Sequence, residues 1–145
     1  MDKQIARKIF IIYKKYVNTL FEKKFYLCID ITKISVLFLL NKIDNENFLE
    51  QIGKVFSGIH KKNHLRYFKL ISTLFKFLTN NTQISGLKLL ISGKLLGKAI
   101  ASQRVITVGC MPTQTLNKNI DFKKIHVYTG YGVFGFKLWT HRNNI

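Results

Sequence analysis

Gly86-Leu87-Lys88-Leu89-Leu90-Ile91-Ser92-Gly93-Lys94-Leu95-Leu96-Gly97 opens the stretch whose reading decides the fold. It continues through Gly109-x-x-Pro112-x-x-Thr115-Leu116 and Ile120-Asp121 to Thr129-x-Tyr131-Gly132-x-x-Gly135-x-Lys137-Leu138-Trp139. In residues 86–92, Leu87, Leu89 and Ile91 alternate with Lys88, Leu90 and Ser92, the period of a strand that buries one face. Residues 99–108 form a second, weakly alternating strand candidate. Residues 120–129 form a third, with Ile125 and Val127 on one face and His126 and Tyr128 on the other. Residues 133–140 close the set, and the turn Gly130-Tyr131-Gly132 predicts a hairpin between the last two strands.

Working back toward the N-terminus, the period changes from two to between three and four. A helix is predicted from Asn47, whose side chain is placed to cap the free N–H groups, with Glu50 completing a box-like pattern. Phe48, Ile52, Val55, Phe56 and Ile59 line its apolar face, and Gly58 marks its end. A further helix is predicted over residues 63–78, with Phe68, Ile71, Leu74, Phe75 and Leu78 on one face and Arg66, Lys69, Thr73 and Lys76 on another. Residues 80–85 are polar and read as the loop into the sheet. Two helices followed by four mostly antiparallel strands make a two-layer α+β domain over residues 47–145.

Before it, residues 2–22 carry Ile5, Ile9, Ile12, Tyr13, Tyr16 and Leu20 at helical spacing, among basic residues. Residues 25–40 are rich in β-branched and aromatic types and read as one or two strands. Residues 41–47 lack a sustained apolar period and form the candidate boundary. Residues 1–46 are thus expected to be an extension, an amphipathic helix plus a strand.

The charge is extreme and unevenly distributed. The chain of 145 residues holds 24 Lys and Arg against 7 Asp and Glu, and five of those acids precede residue 47. From residue 47 onward 15 basic residues face only Glu50 and Asp121, a charge of +13. Repulsion on that scale opposes compaction unless a polyanion neutralises it. Nucleic acid is the commonest such partner, because each neutralised phosphate also releases counterions. RNA, DNA and anionic lipid all remain open on charge alone.

Enzymatic chemistry is hard to build from these residues, since general acid–base catalysis needs titratable groups held together. Asp121 is expected to make a structural hydrogen bond to a turn. His60, His64, His126 and His141 have no metal-ligand spacing with cysteine or acidic residues. Gly93 to Lys98 lacks the frame of a phosphate-binding loop and reads instead as a bend aiming two lysines at a nucleic-acid backbone. Cys28 and Cys110 are too few for a disulfide framework and are expected to be buried or tolerated thiols. The apolar run over residues 34–40 is far too short to span a bilayer. No cofactor, no metal and no stable membrane insertion are therefore expected.

The fragments quoted above resemble, without a gap, the C-terminal domain of small-subunit ribosomal protein S3. That family carries SG[RK]L and a glycine, then PxxTL, an ID pair and TxYGxxGxKVW at the same separations. The resemblance covers roughly residues 47–145 and implies the same two-layer architecture. It also implies a structural constituent of the small ribosomal subunit, in its head near where mRNA enters, with small-subunit rRNA and neighbouring ribosomal proteins as partners. In bacterial relatives, basic side chains on the helix equivalent to residues 63–78 line the channel for the incoming message. Aligning F-R-R-x-x-K with His64-Leu65-Arg66-x-x-Lys69 gives matching basic residues at Arg66 and Lys69 and a loss at Leu65. That alignment requires a short insertion in the loop at 80–85. Family arginines are replaced at Ser102, Cys110 and Asn117, the histidine is Gln114, and acidic positions are Ala99, Arg104 and Val108. Some bacterial-type rRNA contacts should accordingly be missing.

No GXXG loop of a KH-type half occurs in the first 46 residues, so the chain looks like the C-terminal portion of a split or shortened family member. A separate N-terminal half is then an expected partner. Abundant Lys, Asn, Ile, Phe and Tyr point to an AT-rich coding genome and an organelle-encoded protein, mitochondrial or, alternatively, plastid-type. The expected RNA-binding residues are Lys61, Lys62, Arg66, Lys69, Lys76, Lys88, Lys94, Lys98, Arg104, Lys118, Lys123, Lys124 and Arg142, which contact phosphates without reading sequence. Tyr128, Tyr131 and Trp139 are candidates for stacking on bases, with core or hairpin packing favoured. Two rival functions remain: a free-standing RNA- or DNA-binding regulator, and a peripheral membrane protein using residues 2–22.

Overall fold

The computed structural model describes residues 42–143 and, before them, Gln4, Arg7, Lys8, Ile11, Ile31, Lys33, Ile34, Ser35, Leu37 and Phe38. Helices α1 (Asn45–Ser57) and α2 (His64–Asn81) precede strands β1 (Ile84–Gly93), β2 (Ser102–Gly109), β3 (Ile120–Thr129) and β4 (Gly132–Arg142). All strand pairs are antiparallel, in the order β2-β1-β4-β3. Both helices lie on one face of this sheet, giving the expected two-layer α+β domain.

The apolar stripes explain the layering. Phe48, Ile52, Val55 and Phe56 of α1 are buried, as are Phe68, Ile71, Leu74, Phe75 and Leu78 of α2. They meet Leu87, Leu89 and Ile91 of β1 and Phe134, Phe136 and Leu138 of β4, all but fully buried. Phe56 is the hub: its ring lies 5.0 and 5.3 Å from Phe134 and Phe136, both edge-on, and 5.2 Å from Tyr67. Tyr67 also joins the helices, its hydroxyl donating to the Ile52 carbonyl at 2.8 Å. Complete burial of that phenol raises its pKa well above the ordinary value.

Three expectations require correction. The first helix starts at Asn45, not Asn47, and no side chain caps it: Asp44 stands extended at its N-terminus. The loop expected over residues 80–85 shrinks to Thr82 and Gln83, because α2 runs through Asn81 and β1 begins at Ile84. Asn81 Nδ2 donates to the Phe77 carbonyl at 2.7 Å, and Thr82 Oγ1 donates to the Leu78 carbonyl at 2.6 Å. These side chains satisfy carbonyls that a helix end leaves free, so polarity here prolongs the helix.

The third correction concerns the strand expected over residues 25–40. Ile31, Lys33, Ile34, Ser35, Leu37 and Phe38 are all helical. Ile31, Ser35 and Phe38 are buried while Lys33 and Leu37 are exposed, a helical period that outweighs β-branched composition. Ser35 Oγ donates to the Ile31 carbonyl, four residues back, at 2.8 Å. Phe38 stacks on Phe48 at 4.2 Å, so this segment joins the same core as α1. In the predicted helix at 2–22, Gln4, Arg7, Lys8 and Ile11 are helical. The rest of that helix and Cys28 lie outside the described residues.

Candidate nucleic-acid interface

The expected RNA-binding residues do not form one surface; the fold gathers most of them into three groups and leaves three residues outside these. The first is the exposed stripe of α2, where Arg66, Lys69 and Lys76 recur at spacings of three and four. Arg104 joins it from the neighbouring sheet edge. In register with Ile91 it faces the helices, and its guanidinium carbon lies 5.9 Å from the centre of the Phe68 ring.

The second group lies at one end of the sheet, where turn Lys61–Asn63 packs against turn Leu95–Gly97. Lys61, Lys62, Lys94 and Lys98 converge there, with the Lys61 ammonium 5.9 Å from the Tyr131 ring centre. The turn at 95–97 is strained at Leu96, which sits at φ +60°, whereas Gly97 at φ +70° adopts a conformation open to glycine. His64, buried on α2, holds it by accepting the Leu96 N–H on Nδ1 at 3.1 Å. Burial, reinforced by His60, pulls the His64 pKa below its usual value, so the ring stays neutral and able to accept. The Gly93 to Lys98 bend thus carries the exposed Lys94 and Lys98 on a turn fixed to α2.

The third group lies on the sheet face that the helices leave open. Cross-strand register places Phe122, Trp139, Lys88 and Thr107 in one row and Lys124, Lys137, Leu90 and Val105 in the next. Lys137 was missed in the sequence, although its alternation with Leu138 across β4 carries the signal. Tyr128 lies on this face 76% exposed, contrary to the packing favoured for it. Trp139 is half-buried against Phe122, ring centres 5.0 Å apart, while Tyr131 packs in the hairpin turn between His60 and His64.

The remaining residues sit elsewhere. Lys118 is exposed in the connection between β2 and β3. Lys123 faces α1 and lies 3.9 Å from Glu46. Arg142 is half-buried, donating to Asn45 Oδ1 at 3.3 Å with its guanidinium carbon 5.8 Å from the Phe38 ring centre. Asp121 is corrected here: its carboxylate accepts from Asn45 Nδ2 at the start of α1, not from a turn. Cys110 is an exposed free thiol. Among the described residues no three His, Cys, Asp or Glu side chains gather as a metal site, and no helix is long and apolar enough to cross a membrane.

Comparison with known proteins bears on the same segment. The family profile described as Ribosomal protein S3, C-terminal domain, matches residues 62–140. Small ribosomal subunit protein uS3c of Oryza sativa is 38% identical over 78 residues, covering 54% of this chain and 32% of that protein. Small ribosomal subunit protein uS3 of Borrelia duttonii is 36% identical over 109 residues, covering 73% of this chain and 38% of that protein. Small ribosomal subunit protein uS3c of Chlamydomonas moewusii is 34% identical over 85 residues, covering 59% of this chain and 10% of that protein. The chain thus spans only about a third of the length of the first two relatives.

Proposed function

The chain belongs to the ribosomal protein S3 C-terminal domain family, whose members are ribosomal proteins and not enzymes, and we propose from this that it is a structural constituent of the small ribosomal subunit. In this reading it binds small-subunit rRNA and neighbouring ribosomal proteins in the head, beside the entering mRNA. One observation carries the reading: the matched segment, from the turn before α2 to β4, bears every expected RNA-binding residue except Lys61 and Arg142. The relatives' printed names supply the subunit, and the +13 charge from residue 47 onward supplies the affinity for phosphate. The AT-biased composition favours the ribosome of an organelle, a mitochondrion before a plastid.

Sedimentation of a native lysate through a sucrose gradient tests this. The chain should travel with the small subunit and stay with it through a high-salt wash, and subcellular fractionation should place those particles in the organelle. Recovery in the slow fractions, with RNA bound, would favour the free-standing regulator instead.

A further inference from the structure

The open face of the sheet carries three exposed or half-exposed aromatic rings and three lysines, with no carboxylate among its cross-strand positions. Phe122 is 43% and Tyr128 76% exposed, and Trp139 is half-buried beside Phe122. The Lys88 ammonium lies 5.1 Å from the centre of the Trp139 ring. Lys124 and Lys137 are directly opposite each other in the neighbouring row, both exposed. Two like charges held opposite each other across a strand pair repel, and an exposed Tyr and Phe gain nothing from water. A ligand that brings negative charge and flat apolar faces together relieves both costs.

From this we infer that the open sheet face binds an unpaired segment of RNA, with bases stacked on Phe122, Trp139 and Tyr128 and phosphates on Lys88, Lys124 and Lys137. The inference rests on the reading of the chain as an RNA-binding ribosomal protein, and adds to it the surface and the form of RNA. Charge alone fits duplex and single strand equally; the rings decide between them. Every base presents a π-face to an aromatic side chain only when it is unstacked from its neighbours. Tyr128 lies six residues along β3 from Phe122, a separation of about 20 Å at strand rise. The face therefore offers two stacking platforms with the lysine pair between them.

The full chain provides its own reporter, because Trp139 is the sole tryptophan in the sequence. Titration with a fluorescein-labelled oligouridylate is followed by anisotropy, while an unlabelled copy is followed by Trp139 emission. Both should give the same midpoint, with Trp139 quenched by the single strand and not by a duplex of equal length. Phe122→Leu and Tyr128→Ala should each weaken binding by between about fivefold and about 150-fold, the range for one lost stacking contact. Both side chains lie outside the core, so circular dichroism should show the fold retained. Lys124→Ala and Lys137→Ala should each lower the slope of log affinity against log salt by about 0.7. Binding seen by anisotropy with Trp139 unquenched would overturn the proposal and leave the RNA-binding reading standing. No binding in either signal would overturn both. Equal quenching by an oligoglutamate would assign the face to an acidic protein partner and equally overturn it.

Discussion

His64 on α2 accepts the N–H of Leu96 on its Nδ1 at 3.1 Å, tying the basic helix to the lysine-bearing turn between β1 and β2. The bond exists only while the ring is neutral, with its proton on Nε2. Burial, aided by His60, depresses the folded-state pKa, so between that value and about 6.5 the unfolded chain binds more protons than the folded one. The sign follows: this contribution to stability is complete above about pH 6.5 and is lost progressively as pH falls toward the folded pKa. Urea unfolding at neutral and mildly acidic pH should show that loss, and His64→Leu should flatten it. An unchanged pH dependence in the variant would place the titration elsewhere.

Asn45 ties two elements to the start of α1, donating from Nδ2 to the Asp121 carboxylate and accepting from Arg142 at 3.3 Å. Asn45 is buried, whereas Asp121 is exposed and Arg142 half-buried, so its replacement loses two hydrogen bonds whose far partners water can still reach. Asn45→Ala should cost about 0.5–1.5 kcal/mol in urea unfolding, the net worth of a hydrogen bond whose partner can turn to water. Asn45→Asp should be worse than an isosteric change implies, since it sets a second carboxylate against Asp121. Wild-type stability in both variants would show that the two bonds add nothing net to the fold.

Phe56 carries the contact between the layers. It touches Phe134 and Phe136 across the sheet and Tyr67 on α2, and is fully buried. Phe56→Ala should therefore cost about 3–5 kcal/mol, the range for a large aromatic removed from a core. Phe56→Leu should cost less, because part of the cavity is refilled. Thermal unfolding of the two variants against the parent gives the comparison.

What the sequence made legible follows from which physical signal each segment carries. The strands and the apolar faces of α1 and α2 are written in periodicity, and Leu87, Leu89 and Ile91 are buried as their alternation implies. The strand expectation fails around Ile31 and Phe38 because β-branched composition is a weak signal beside a burial period of three and four. The loop reading fails at Asn81, because its bond to the preceding turn of helix is invisible until the helix exists. Among the basic residues, identity was legible and grouping was not. Lys123 and Lys124 are neighbours in sequence, yet strand alternation sends them to opposite faces.

The lysines of the strained turn give a further test. Lys94 and Lys98 flank Leu95–Gly97 and are both exposed. If both contact phosphate, the double change Lys94→Ala with Lys98→Ala should lower the salt slope for single-stranded RNA by about 1.4. The sequence preference should stay unchanged, since phosphate contacts do not read bases. A salt slope equal to the parent's would remove this turn from the interface.

Arg66 and Lys69 carry the most specific functional expectation. They lie three apart on the exposed side of α2, with Phe68 between them turned into the core, so both cations project from a helix that is firmly seated. In the proposed function that side would face the entering message, whereas Leu65, 46% exposed, leaves an apolar position where the resembled motif has a third cation. A thinner cluster should grip a single strand more weakly and still resist a duplex that must be opened before it can pass. Arg66→Ala with Lys69→Ala should leave assembly into the subunit intact, because neither side chain belongs to the core. Translation of a message with a stable downstream hairpin should slow in that variant, while an unstructured message proceeds at the parent rate. The measurement is the ratio of the two rates, in parent and variant particles. An identical ratio in both would remove α2 from the path of the message, and a loss of assembly would assign its basic stripe to rRNA.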